Sequence, residues 1–189
     1  MMKNMLLQGS DITMQHSIHN NDDEYHSPIE YINSARVVMG CINIDPASND
    51  EAQKTVKADR YYTKDNSSLS DSVEWNGKVW MNPPYSRIIK SFTAKLVNEW
   101  DKGNTKEAIV LTNNGTDTHW FNDLASRASA ICLHKGRIRF IKNGQPTTNN
   151  NKGQVITYLG NHPDKFGNEF SKYGTVFFKL NSGGESVKF

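Results

Sequence analysis

Trp75-Asn76-Gly77-Lys78-Val79-Trp80-Met81-Asn82-Pro83-Pro84-Tyr85 contains a short β-forming run, Val79–Met81, that stops at two prolines. A helical pattern follows at once. Ile88, Ile89, Phe92, Leu96, Val97 and Trp100 recur on one face at a 3.6-residue period, and Gly103-Asn104 can end that helix. Strand, turn and helix in this order place Asn82-Pro83-Pro84-Tyr85 at the carboxyl end of a strand, where open α/β sheets bind their ligands. The prolines fix the backbone and remove two N–H donors, leaving carbonyl oxygens in set directions. Asn82 adds a side-chain acceptor and Tyr85 a flat ring. Such a turn can hold an amino group between two oxygen acceptors, with the ring free to stack on a nucleobase outside its duplex. A merely rigid turn after a buried strand is the alternative. Upstream, Asn76-Gly77 reads as a hairpin-like turn.

Working outward, Ser27-Pro28-Ile29-Glu30 has the form of a helix start, with Ser27 as cap and Pro28 at the first helical position. Gly40 can terminate that helix. A strand over 41–44 then runs into Asp45-Pro46-Ala47-Ser48, a helix is predicted over 50–58, and Arg60–Thr63 suits a second strand. Lys64–Ser72 is a loop. Ala108–Leu111 is a buried strand emptying into Thr112-Asn113-Asn114-Gly115, with Asp117 or Thr118 capping a helix to Ala128. Stretches 130–133, 138–141, 155–159 and 175–180 read as β, separated by loops that include Asn143–Gly153. Alternation in the first part predicts a mostly parallel α/β sheet, and the tail predicts antiparallel strands at its C-terminal edge.

The 189 residues fit one domain, expected over 24–181, with 1–23 as a mobile leader and 182–189 as a tail. A net charge of +2 excludes affinity for a polyanion through an overall basic field, so any nucleic-acid contact must be local. Cys41 and Cys132 lie in apolar contexts without a CxxC pattern, which predicts two buried thiols and neither metal nor disulfide. No apolar run approaches the ~20 residues of a membrane span, and a cytoplasmic protein is expected.

Several stretches together resemble the phage-type Dam family of S-adenosylmethionine-dependent DNA N6-adenine methyltransferases. The first is residues 75–85. The others are Ile42-Asn-Ile-Asp-Pro-Ala-Ser48, residues 56–63, residues 112–121 and Gly136-Arg-Ile-Arg-Phe140, in the same order. The resemblance implies a Rossmann-like methyltransferase sheet and methyl transfer to adenine N6, with Asn82, Pro83, Pro84 and Tyr85 as catalytic residues and double-stranded DNA as partner. Asp45, Pro46, Ala47 and Ser48 are similar to the cofactor-binding turn of amino-methyltransferases, without its glycines, and Asp45 would meet the methionine ammonium. An Asp cap of the next helix is the alternative. His26, Ser27 and Pro28 fall where related enzymes contact the methionine carboxylate, although an ordinary capped helix explains them too. Tyr62 and Thr63 would flank the cofactor's adenine or ribose, or are simply strand formers.

Asn113 or Asn114 would hydrogen-bond the substrate base, with Asp117 and Trp120 at the adjoining helix mouth. An Asn-Gly turn, an Asp cap and a core Trp account for the same residues. Lys135, Arg137 and Arg139 alternate with Gly136 and Ile138, placing three cations on one strand face as a phosphate patch or a solvated face. The stretch from Ser48 to Val79 holds only one helix and one strand, so the sheet is trimmed, and no recognition domain is inserted. Modest sequence selectivity is expected, read by Lys64–Ser72, Asn143–Gly153 and the base pocket. Two rivals remain. The same turn occurs in enzymes that methylate RNA adenine or protein glutamine, and a non-catalytic nucleic-acid-binding module could retain the fold.

Overall fold

A computed structural model describes residues 25–180; the expectations for 1–23 and 182–189 lie outside the described residues. Helix α1 spans Ile29–Met39, β1 Ile44–Asp45, α2 Asp50–Val56, β2 Arg60–Tyr61, β3 Gly77–Met81, α3 Ile89–Asp101 and β4 Thr105–Asn113. These are followed by α4 His119–Arg127, β5 Ala130–His134, β6 Ile141–Lys142, β7 Gln145–Pro146, β8 Gln154–Leu159, α5 Pro163–Phe170 and β9 Gly174–Phe178. Seven strands form one sheet in the order β2-β1-β3-β4-β8-β5-β9. The pairs from β2 to β4 are parallel, and those from β4 to β9 are antiparallel. Between β1 and β3 the only regular elements are α2 and β2, so the sheet is trimmed as its sequence spacing requires.

The central strands read as continuous apolar runs because both faces are covered. Successive side chains alternate sides. Trp80, Ile109 and Leu111 therefore point to a core shared with α1 and α5, through Ile32, Ala35, Met39, Phe166 and Phe170. Val79, Met81, Ala108 and Val110 point to the other core, built with Phe92 and Leu96 of α3 and Leu124 of α4. Fully burying each large aliphatic or aromatic side chain contributes about 1.5–3 kcal/mol, so the two layers hold the strand ends in fixed register. Ile44 stands opposite Val79, and Val79 opposite Ala108. The turns leaving β1, β3 and β4 therefore emerge side by side.

Several local expectations are corrected. Ser27 is buried and does not cap α1; Pro28 takes the cap position at φ −58°, ψ 147° with no side-chain cap. Strand 41–44 shrinks to two residues, and Cys41 is exposed while Cys132 is buried. Helix α2 is capped by Asn49, whose Oδ1 accepts from the Ala52 N–H at 2.8 Å, and it stops at Val56 because Lys57 turns left-handed at φ 47°. Asn76-Gly77 makes no hairpin. Gly77 enters β3 directly, between parallel neighbours, and its N–H reaches the Asn104 carbonyl at 3.0 Å. The 138–141 strand is absent: Gly136 at φ 81° turns the chain out of the sheet after His134, and only Ile141–Lys142 pairs, with β7. Helix α5 lies in a stretch without an assigned element, although Pro163 at its start and Phe166 and Phe170 at i, i+4 spell it out. Among the described residues no helix is long and apolar enough to cross a membrane.

Gly77 is required twice over. Its φ is +100°, and a Cβ there would meet Asn43 Oδ1 at 2.5 Å, the atom that accepts from the Lys78 N–H. Gly77→Ala is expected to destabilise by about 2–4 kcal/mol. A thermal melt should then fall by roughly 5–15 °C. An unchanged midpoint contradicts the requirement.

Candidate active site

Asp45 ends β1 and is 3% exposed. Its Oδ1 accepts from the Ala47 N–H at 3.3 Å and its Oδ2 from Gln53 Nε2 at 2.9 Å. Burial pushes its pKa up to about 7, against the lowering effect of contacts from Ser48, Ala47 and Gln53. Gln53 Nε2 also reaches Ser48 Oγ at 2.8 Å, and its Oε1 accepts from the Ala58 N–H at 2.9 Å, so one amide ties the turn to α2. On the other side the Ser68 hydroxyl donates to the Pro46 carbonyl at 2.7 Å, and Trp75 Nε1 donates to the Ser68 carbonyl at 3.2 Å. The 45–48 turn is thus braced from helix and loop. Asp45 does not cap α2; Asn49 does.

At the end of β3, Asn82 Nδ2 donates to the Tyr25 carbonyl at 3.1 Å, and Asn82 Oδ1 accepts from the Tyr85 hydroxyl at 2.8 Å. Burial drives the Tyr85 pKa far above its ordinary value, so the phenol stays a donor. The rings of Tyr85 and Tyr25 both stand edge-on to Phe140, at centroid distances of 6.1 and 6.3 Å. An amide oxygen accepts two bonds, so Asn82 Oδ1 keeps one lone pair for a further N–H.

Two cavities meet at Tyr25 and Tyr85. The larger, about 780 Å³, gathers His26, Ser27, Asp45, Pro46, Ala47, Ser48, Tyr62, Thr63, Asn82, Pro83, Pro84 and Tyr85. The smaller, about 450 Å³, lies between Tyr25, Tyr85, Phe140, Asn113 and the 146–152 loop. Most of the residues singled out from sequence are therefore brought to one place. His26 Nε2 lies 3.1 Å from Asn49 Nδ2, and the His26 backbone pairs with Ile141, which folds the 25–27 segment across the site. Thr63 donates from N and Oγ1 to Asn66 Oδ1, shaping the rim near Tyr62.

Other expectations part from this geometry. Pro28, Asn114, Asp117 and Trp120 line neither cavity. Trp120 instead packs over Gly115, where a Cβ would lie 2.6 Å from its ring, and edge-on to Phe121. Lys135, Arg137 and Arg139 do not share a strand face, since Gly136 breaks the run at φ 81°. Arg137 and Arg139 remain exposed opposite buried Ile138 and Phe140, whereas the Lys135 N–H is held by the Tyr173 carbonyl at 2.8 Å. Sequence reasoning missed Gln53, Ser68, Phe140 and Gln154. Phe140 follows an alternating run and could have been found; an isolated Gln or Ser carries no such signal.

The chain is similar to a DNA N-6-adenine-methyltransferase of Escherichia phage T1, at 27% identity over 151 residues covering 71% of this chain. It spans 61% of that relative's length. Its sequence also matches the family described as DNA N-6-adenine-methyltransferase (Dam) over residues 15–171. Because that match runs through both braced turns and the sheet as far as α5, the chain belongs to the DNA N-6-adenine-methyltransferase (Dam) family.

Proposed function

We propose that this chain transfers a methyl group from S-adenosylmethionine to the N6 amino group of adenine in double-stranded DNA. The observation that carries the proposal is the Asn82-Pro83-Pro84-Tyr85 turn, fixed at the strand end where a large and a small cavity meet. The donor set of the larger cavity fits the cofactor: Asp45 offers a buried carboxylate to an ammonium, His26 and Ser27 stand ahead of α1, and Tyr62 gives an apolar ring beside Thr63. S-adenosylmethionine supplies, when bound, an electrophilic methyl on a sulfonium sulfur.

The protein's own contribution is positioning and electrostatics. An adenine amine is a poor nucleophile because its lone pair is delocalised into the ring, and it acidifies as it reacts. Asn82 Oδ1 and the Pro83 carbonyl accept hydrogen bonds from its two N–H groups and stabilise the positive charge that develops on nitrogen. Tyr85, with Tyr25 and Phe140, provides the aromatic walls against which an extruded base stacks. No strong general base is needed, since the proton lost becomes acidic only during transfer and leaves to water. Arg137 and Arg139 supply local phosphate contacts, and binding is weak and salt-sensitive because the net charge is only +2. Selectivity is modest, read by the two loops and the small cavity, and the site of action goes with the DNA, in the cytoplasm.

Calorimetric titration with S-adenosylmethionine, followed by labelled methyl transfer into duplex DNA, RNA and protein extract, tests the proposal. Saturable binding with label recovered as N6-methyladenine in DNA is expected. Label in RNA or in protein glutamine instead, or no cofactor binding at all, replaces it with one of the rivals.

A further inference from the structure

Asn113, at the end of β4, lines the small cavity and is held from behind by a buried amide. Gln154, 2% exposed, donates from Nε2 to Asn113 Oδ1 at 3.1 Å. The direction of this contact is not arbitrary. Gln154 Oε1 faces the Ile138 N–H at 3.4 Å and Asn150 Nδ2 at 3.0 Å. Asn150 is itself oriented by backbone groups that cannot reverse: its Nδ2 donates to the Ile138 carbonyl at 3.0 Å and its Oδ1 accepts from the Lys152 N–H at 3.1 Å. Three main-chain groups thus set the polarity of the whole amide relay. Its last member has its oxygen turned inward and its Nδ2 donor left for the cavity.

Resting on the proposed function, we infer that Asn113 is a specificity-determining residue that donates from Nδ2 to the ring nitrogen beside the reacting amine, adenine N1, and that Gln154 is the positioning residue that fixes this polarity. Acceptors at Asn82 and Pro83 with a donor at Asn113 complement an amino group next to an unprotonated ring nitrogen. Guanine and thymine present a carbonyl next to a ring N–H, the reverse pattern, and would set acceptors against the carbonyl and the Asn113 donor against the ring N–H. Asn114 cannot do this; its N–H is used by the Gly153 carbonyl and its side chain lies outside the cavity.

Two measurements on the full chain test the inference. In nitrogen–proton NMR spectra the Asn113 side-chain amide, assigned by its loss in Asn113→Ala, should shift on titration with deoxyadenosine and not with 1-deazadeoxyadenosine, which has carbon in place of N1. In transfer assays, DNA carrying 1-deazaadenine should lose about 10–100-fold in kcat/KM with the wild type, and Asn113→Ala should lower the adenine rate and erase that ratio. Above the pKa of the introduced carboxyl, Gln154→Glu keeps the bonds from Ile138 and Asn150 but cannot donate to Asn113, so the amide turns and presents oxygen to N1; adenine should then be disfavoured beyond Asn113→Ala. Asn113→Asp places an acceptor there without touching the buried Gln and should behave the same way. DNA methylation with no amide shift, and an adenine-to-1-deazaadenine ratio unmoved by either residue, overturns the inference and leaves the proposed function standing. An amide shift without transfer into DNA does the opposite.

Discussion

Asn82→Ala should lower kcat for methyl transfer by about 10²–10³-fold, the effect of deleting one polar group that is aimed at developing transition-state charge. Affinity for S-adenosylmethionine should hardly change, since the proposed function assigns Asn82 to the amine and Asp45 to the cofactor's ammonium. Asn82 Oδ1 is held by the Tyr85 hydroxyl at 2.8 Å and Nδ2 by the Tyr25 carbonyl at 3.1 Å, so the amide waits in a set orientation before any substrate arrives. Tyr85→Phe separates the two roles of that tyrosine. Its ring can still stack, but Asn82 Oδ1 loses its donor while Nδ2 keeps the Tyr25 carbonyl, and a loss of about tenfold is expected. Single-turnover kinetics with preformed cofactor complex provide the check. A kcat for Asn82→Ala within threefold of the wild type sinks the assignment of the turn.

The turn was legible because proline, asparagine and an aromatic at the end of a strand leave few physical alternatives, and α3 was legible because its apolar face repeats over three turns. Asp45 could be placed at the mouth of the next strand for the same reason. Its bracing could not. Gln53 reaches back from α2 to Asp45 and Ser48, and Ser68 reaches across from a loop to Pro46; both are tertiary contacts of ordinary polar residues. Asn76-Gly77 misled because the same dipeptide that closes hairpins also serves where a backbone must pass an adjacent side chain, here Asn43. The three alternating cations misled because a single glycine at φ 81° outweighs a period of two. Even so, Arg137 and Arg139 keep their common side, since buried Ile138 and Phe140 alternate with them.

Asp45→Asn should weaken S-adenosylmethionine binding by at least 10²-fold, the scale of removing a charge partner from a buried contact. The wild type should itself lose affinity in acid. Burial raises the Asp45 pKa from 3.8 to about 7, so below pH 7 the ionised fraction falls about tenfold per unit while the cofactor's ammonium stays protonated. The apparent Kd should rise by about that factor per pH unit. Stability of the cofactor-free protein has the opposite sense. Between pH 3.8 and about 7 the folded carboxyl holds more protons than the unfolded one, so this group's contribution falls as pH rises and is lowest above pH 7. The penalty reaches about 4 kcal/mol at most. It is removed in Asp45→Asn, whose thermal midpoint should fall less steeply between pH 5 and 8 than that of the wild type. Calorimetry from pH 5.5 to 8 with melts over the same range decides it: an affinity flat across that range, or identical pH slopes for the two proteins, overturns the raised pKa, and an unchanged Kd in Asp45→Asn removes Asp45 from the cofactor site.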